Sequence, residues 1–344
     1  MAIDPAKPFD LSYEVMPTYD RHRLDLFVKA MIPSMSRTRI QLRIGEGRVE
    51  VNGAARPANW RVLPGDMVLI RCNVPDDGAD AGRNIPLDIL YEDADVIAVN
   101  KPAGMVVHPV GKHRHDTLLN ALYWRYKDEI PEEDSVSLAN RLDQYTSGVI
   151  LATKNARSKR ILQEDFEARL PQKNYLALCR GEPAEDEGEV DLPIGPDSSG
   201  KDHCVMAVRH DALGKPSRTL YRVEARFKGF SLVRLHPVTG RQHQLRVHMA
   251  ALGCPLAADA RYGGGHRLEL QDASGATAAL ERYALHACEL SFRHPADGRE
   301  MCARAPLAAD LTAVIAILRS GTAREVVGGM LLPESGPVDG GGRV

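Results

Sequence analysis

The chain has 344 residues, of which 44% are hydrophobic and 26% charged, with a formal net charge of −2. At ~100–200 residues per domain this predicts two domains plus tails, and the composition excludes a chain that is disordered throughout. The longest late apolar run, Leu311 to Leu318, is far short of the ~20 residues a membrane span requires, so no membrane partner is expected. The opening MAIDPAKPFD has no basic segment followed by an apolar one, which predicts no secretory leader. Six scattered cysteines without a C-x-x-C pair argue against a zinc ribbon and a disulfide scaffold. A cytoplasmic monomer is expected.

The charge is unevenly placed. Between Arg21 and Arg71 there are ten basic and four acidic residues, so a basic module is joined to a mildly acidic body. Leu24, Phe27, Val28 and Met31 recur at helical spacing, and Pro33 should end that helix. A second helix is predicted from about Ser36, burying Ile40 and Ile44 and presenting Arg37, Arg39 and Arg43 on its other side. RVEVNG alternates and ends in Asn52-Gly53, a hairpin signal, and Pro64-Gly65 marks a turn before the strand MVLIR. Positive side chains on one rigid face can track phosphates, although such runs are more often a solvated surface.

Polar residues with Gly and Pro then suggest a linker. The body opens with a strand containing Val96, Ile97, Ala98 and Val99. A helical pattern comes next within 151–170, and strand-like runs recur at Tyr175–Leu178, Thr219–Ala225 and Ser231–Leu235. Helix and strand signals mix without a regular βαβ alternation, which predicts α+β. From Gly321 onward seven glycines and few large apolar residues predict a mobile tail.

Three segments hold candidate chemistry. Asn140-Arg141-Leu142-Asp143-Gln144-Tyr145-Thr146-Ser147-Gly148 places a carboxylate on a glycine-terminated turn before an apolar strand. Asp143 can act there as nucleophile or base, or simply cap its own turn. In TGRQHQLRVH, Thr239 and Gln242 have capping-box spacing, so a helix is predicted to start there. Its Arg246 can aim a permanent charge at a carboxylate and keep it ionised, or lie on the surface. Tyr175, in QKNYLALCRG, can stack on a base or serve as a core tyrosine. His243 and His248 are five apart, not the four of H-E-x-x-H, and His108, His113 and His115 share a loop without an obvious carboxylate. No metal is expected. Neither a P-loop nor a G-x-G-x-x-G in strand–helix context occurs, so no nucleotide cofactor is expected either.

Taken together the segments resemble known families. RLD, SRTRIQ, GRVEVNG and PGD, spread over roughly residues 20–75, look like an S4-type RNA-binding domain. LYEDADVIAVNKPAGMVVHP, NRLDQYTSG, PQKNYLALCRG, GKPSRTLY, PVTGRQHQLRVHMAALGCPL, ARYG and LHACELSFRHP resemble the RluA-type pseudouridine synthases. The resemblance implies a mixed, mainly antiparallel sheet with flanking helices. With the linker and tail read from composition, the expected domains are an S4-like domain at 14–75, a linker at 76–86, a catalytic domain at 87–310 and a helix with flexible tail at 311–344. The resemblance further implies Asp143 as catalytic aspartate, Arg246 as its ion-pair partner and Tyr175 as active-site aromatic. Arg141, Arg37, Arg39, Arg43, Arg241 and Gln244 become candidate RNA contacts. The implied activity is uridine-to-pseudouridine isomerisation, with large-subunit ribosomal RNA as partner through the S4-like front end. Transfer RNA is the alternative substrate, and a non-catalytic RNA-binding assembly factor the alternative role. The sequence departs from the family pattern in three places. Asn140 replaces a usual His, Ala258-Asp259 a usual Gly-Asp, and Ser217 a usual Ala.

Overall fold

A computed structural model describes residues 10–32, 37–71, 82–110, 113–129, 136–197, 205–327 and 330–331. It divides into Met1–Ala81 and Gly82–Val344. In the first unit, strand β1 (Asp10–Glu14) precedes helices α1 (Leu24–Met31) and α2 (Arg37–Gly45), then β2 (Val49–Val51), β3 (Ala54–Ala55) and β4 (Met67–Arg71). The helical periodicity of Leu24, Phe27 and Val28 is what α1 buries, against Ile40 and Ile44 of α2 and Val49, Val51, Val68 and Ile70 of the sheet. Asn52 and Gly53 both have positive φ, as a tight hairpin between β2 and β3 requires. Pro33 and Ser36, the expected stop and start signals, lie outside the described residues.

The second unit continues with β5 (Ile89–Glu92), β6 (Val96–Lys101), α3 (Leu118–Tyr126), β7 (Ser137–Leu138), β8 (Ser147–Thr153), α4 (Ala156–Glu167) and β9 (Gln172–Arg180). Next come β10 (Glu187–Asp191), β11 (Ile194–Pro196), β12 (Met206–Val208), β13 (Arg218–Phe227), β14 (Phe230–Pro237) and α5 (Gln244–Ala251). The unit ends with β15 (Leu268–Gln271), β16 (Thr277–Leu280), β17 (Leu285–Arg293), β18 (Glu300–Arg304), α6 (Ala309–Arg319), β19 (Arg324–Val327) and β20 (Met330–Leu331).

A ten-stranded sheet runs β10-β13-β14-β9-β17-β8-β6-β5, with β18 on β17 and β7 on β8. Its pairs are antiparallel except β8 with β17. This is the α+β architecture expected from the sequence. Alternate residues of the central strands enter two cores. Ile97, Val99, Ile150 and Ala152 pack with Leu118 and Leu122 of α3 and with Leu245 and Met249 of α5. Val96, Ala98, Val149 and Leu151 pack with Leu162 of α4. With both faces covered, β8 is buried at every residue, which is why SGVILAT reads as an apolar run rather than an alternation.

Two expectations need correction. Of the linker 76–86, residues 76–81 lie outside the described residues, but residues 82–86 are no free spacer: the Arg83 N–H bonds the Asn120 carbonyl at 2.9 Å. The tail does not begin at Gly321. Leu270 and Gln271 of β15 pair with Glu325 and Arg324 of β19, and Arg180 holds the Glu325 carboxylate. Charged side chains that bond back to the sheet offset the weak apolar content of this segment. The expected tail beyond residue 331 lies outside the described residues.

Candidate active site

Asp143 lies on the turn between β7 and β8, and the turn is held from two sides. Lys101, fully buried at the end of β6, donates its three ammonium protons to the carbonyls of Pro102 (2.8 Å), Met105 (2.9 Å) and Gln144 (3.0 Å). Burial pulls that ammonium down to about 7, with Arg282 acting in the same direction, but three acceptors for three protons favour the charged form. On the other side, Arg282 donates to the Tyr145 carbonyl and the Ser147 hydroxyl while its remaining donors grip Asp310. Gly148, at φ 111°, closes the turn. A Cβ there would sit 2.1 Å from the Ala287 carbonyl oxygen, so the close approach of β8 and β17 requires glycine. Asn140 accepts from the Leu151 N–H at 2.8 Å and so secures the strand from the side where the family has His.

The turn presents Asp143 to a cleft of about 600 Å³, also lined by Arg141, Tyr175, Arg241, His243 and Arg246. The carboxylate side chain is 34% exposed and accepts no hydrogen bond among the described residues, so it does not cap its own turn. Two nitrogens approach it, both toward Oδ2: His243 Nε2 at 3.9 Å and Arg246 Nη1 at 4.0 Å. Tyr175 is buried on β9, and burial, with the negative charge of Asp143, raises its hydroxyl well above the usual range. Tyr283 is pushed up to about 12 for the same two reasons. Both phenols are therefore neutral.

The expected Arg246–Asp143 ion pair is present but long, at 4.0 Å, and a second carboxylate takes most of the guanidinium. Arg246 makes a bidentate pair with Asp259, Nε to Oδ2 at 2.7 Å and Nη2 to Oδ1 at 2.8 Å. Its guanidinium carbon also lies 4.0 Å from the Tyr283 ring centroid and 4.8 Å from that of Tyr262. Burial opposes the charge, but the Asp259 hydrogen bonds and the nearby acids raise the guanidinium above its ordinary value. Nε and Nη2 are taken up by Asp259, which leaves Nη1 as the donor facing Asp143. The two aspartates thus divide one guanidinium, one fixing it and the other receiving its free edge.

The helix carrying Arg246 also begins later than its sequence suggests. Thr239 and Gln242 do not form a capping box; α5 starts at Gln244 after His243, which takes a left-handed φ of 55°. Gln244 is not available to RNA. Its oxygen accepts from the Thr239 hydroxyl and the Arg241 N–H, and its amide donates to the Arg218 carbonyl and the Thr219 hydroxyl, which uses its full capacity. Arg241 donates to the Pro216 carbonyl from the cleft wall, and Arg141 is exposed at the mouth. In the first unit Arg37 is not an idle phosphate finger: Nε and Nη2 bond Asp25, at 3.1 and 3.0 Å. Arg43 reaches the Arg71 carbonyl at 3.4 Å, and the Arg39 side chain lies outside the described residues. His113 does have a carboxylate, Asp116 at 2.8 Å, yet no three metal-ligating side chains gather among the described residues.

Sequence reasoning named Asp143, Tyr175 and Arg246, and all three line the same cleft. It missed Lys101, Asp259, Arg282 and the His243–Tyr262 pair. Lysine at the end of an apolar strand and aspartate inside LAAD, charges where burial is expected, were the available signals.

A mixed sheet with helices on both faces thus carries an acid-bearing turn over a basic cleft, an arrangement suited to nucleophilic or acid–base chemistry on an anionic substrate. A family profile described as RNA pseudouridylate synthase matches residues 95–251. The uncharacterized RNA pseudouridine synthase YlyB of Bacillus subtilis is 36% identical over 299 residues, covering 86% of this chain and 94% of that protein. The ribosomal large subunit pseudouridine synthase D of Yersinia pestis is 36% identical over 321 residues, covering 92% and 97%. The solved structure of human RNA pseudouridylate synthase domain containing 4 superposes with a TM-score of 0.53 at 25% identity, over 67% of this chain and 93% of that one. The chain belongs to the RluA family of RNA pseudouridine synthases. It is an enzyme whose substrate is RNA. Among the described residues no helix is long and apolar enough to cross a membrane.

Proposed function

We propose that the enzyme isomerises particular uridines of large-subunit ribosomal RNA and that Asp143 starts the reaction. Pseudouridine formation breaks the N1–C1′ bond, turns the uracil and joins C5 to C1′, with no net gain or loss of atoms. The chemistry needs an ionised carboxylate at the sugar or at C6, room for a base to turn, and exclusion of water. The observation that carries the reading is the Asp143 carboxylate, partly exposed in a cleft within the ~300–1,000 Å³ of ligand sites, with both protein contacts on Oδ2 and Oδ1 left to the substrate. Arg246 stabilises the carboxylate, Tyr175 stacks on the extruded uracil, and Arg141 and Arg241 hold the RNA. Extrusion from a helix costs a few kcal/mol, which favours a loop as target. Ribosomal RNA is supported by the name of the Yersinia pestis relative and by the basic S4-like front end, whose proposed role is RNA binding.

The test is pseudouridine mapping of total RNA from cells with the gene, without it, and with Asp143→Ala or Asp143→Asn. Sites present only with the intact gene should lie in large-subunit ribosomal RNA and vanish in both variants. Turnover retained by Asp143→Asn would overturn the role of the carboxylate. Lost sites confined to transfer RNA would overturn the substrate.

A further inference from the structure

Asp143 has a second neighbour whose chemistry the isomerase reading leaves unused. His243 Nε2 lies 3.9 Å from the same Oδ2 that faces Arg246. The other ring nitrogen, Nδ1, is 2.8 Å from the Tyr262 hydroxyl, and that hydroxyl accepts from the Met206 N–H at 3.1 Å. These contacts accommodate one tautomer in which every proton has a protein partner. A phenol carries one proton, and burial, the largest influence on Tyr262, keeps it on the oxygen at neutral pH. With the Met206 amide on one lone pair, the only described partner for that proton is Nδ1. With that proton given to Nδ1, the ring nitrogen accepts and the imidazole proton sits on Nε2, which faces Asp143, and this is the tautomer the inference adopts. The backbone reinforces the aim: His243 takes φ 55° just before α5, and that turn carries the ring back over the cleft.

We infer that His243 is a positioning residue for the reaction: its Nε2–H, set by Tyr262, joins Arg246 Nη1 in holding Oδ2 so that Oδ1 meets the uridine. The inference rests on Asp143 being the reacting carboxylate. A carboxylate that swivels about its Cβ–Cγ bond presents either oxygen, whereas two donors converging on one oxygen fix the plane. The 3.9 Å separation is longer than a hydrogen bond, and such contacts in free enzymes commonly tighten when substrate enters. Burial holds the imidazole below its ordinary value, opposed by the charges of Asp143 and Asp259 and assisted by those of Arg246 and Arg261. His243 is thus a neutral donor at neutral pH, and Arg246 alone supplies the positive charge.

The experiment compares single-turnover rate, RNA affinity and unfolding midpoint for wild type, His243→Phe, His243→Gln, Tyr262→Phe and Asp143→Ala. His243→Phe removes the donor and should slow turnover about 10–100-fold with RNA affinity unchanged, the loss associated with a misplaced reacting group. His243→Gln places an amide N–H near the Nε2 position and should recover to within about threefold. Tyr262→Phe keeps the imidazole and frees its tautomer, so turnover should fall between the two, and this variant decides the matter even where the phenylalanine substitution at His243 costs the fold. Equal rates for wild type, His243→Phe and Tyr262→Phe, or a His243→Gln enzyme as slow as His243→Phe, would overturn the inference. An active Asp143→Ala would instead overturn the reading of Asp143 itself.

Discussion

Two buried aspartates, one in each unit, hold arginines for opposite ends. Asp25 is fully buried and gathers Arg23, Arg37 and Gln41, but the arginines themselves reach into water, with Arg37 52% exposed. Asp259 is equally buried and holds Arg246, which is only 7% exposed and lies against two tyrosine rings. In the first case the acid is the guest and the cations close over it. In the second both charges are inside, and the pair exists to direct the one guanidinium edge it does not use. An arginine count alone therefore says little about RNA contact; what separates a tether from a tool is where the spare donors point.

Removing each acid should make that difference measurable. Asp259→Ala leaves a desolvated guanidinium without its partner and should cost about 3–5 kcal/mol of stability, together with activity. Asp25→Ala releases arginines that can turn to solvent, and the loss should be nearer to about 1–3 kcal/mol with isomerisation chemistry intact. Chemical unfolding of the full chain reads both, and equal losses would erase the distinction. A moderate effect is expected from deleting residues 1–81. RNA affinity should weaken and its dependence on salt flatten, but by fewer phosphate contacts than the ten basic residues of 21–71 suggest, because Arg23 and Arg37 are occupied. An unchanged salt slope would show that this face does not meet RNA.

Acid sharpens the same contrast. Burial alone would raise the Asp25 carboxyl, but hydrogen bonds from Arg23, Gln41 and Arg37 outweigh it and hold the group well below the usual carboxylate range. The folded state thus binds this proton more weakly than the unfolded chain. The contribution of Asp25 is complete above the unfolded value of about 3.9 and is lost as pH falls from there toward the lower folded value. The stability gap between wild type and Asp25→Asn should narrow below about pH 4, and a gap independent of pH would contradict the network. The smallest effect concerns Ala258, whose φ of 57° explains why the family prefers glycine there. Ala258→Gly relieves strain but removes a buried methyl worth about 0.8 kcal/mol, so its unfolding free energy should stay within about 1 kcal/mol of wild type. A loss above about 2 kcal/mol would mean that packing, not backbone, governs the position.

Much of this could be read from the chain because the signals were local. The apolar spacing of Leu24, Phe27 and Val28 marked α1, Asn52-Gly53 its hairpin, and the turn before VIL placed Asp143. The site was harder where side chains outrank local propensity. The spacing of Thr239 and Gln242 resembles a helix start, but Gln244 takes the Thr239 hydroxyl for itself and delays α5. The Arg246–Asp259 pair spans thirteen residues of chain, and no periodicity links its partners. Ser217 shows the reverse: its added hydroxyl is taken up locally, donating to the Lys215 carbonyl two residues back.

The single parallel pairing in the sheet has a consequence for biosynthesis. Gly148 meets Ala287, Ser147 meets His286, and Arg282 braces the Asp143 turn from 135 residues further along the chain. Translation proceeds from the N-terminus, so a nascent polypeptide lacks this brace until the stretch after residue 282 has emerged. The reactive turn is therefore completed only when residues well over a hundred positions downstream have been made, late relative to its own synthesis.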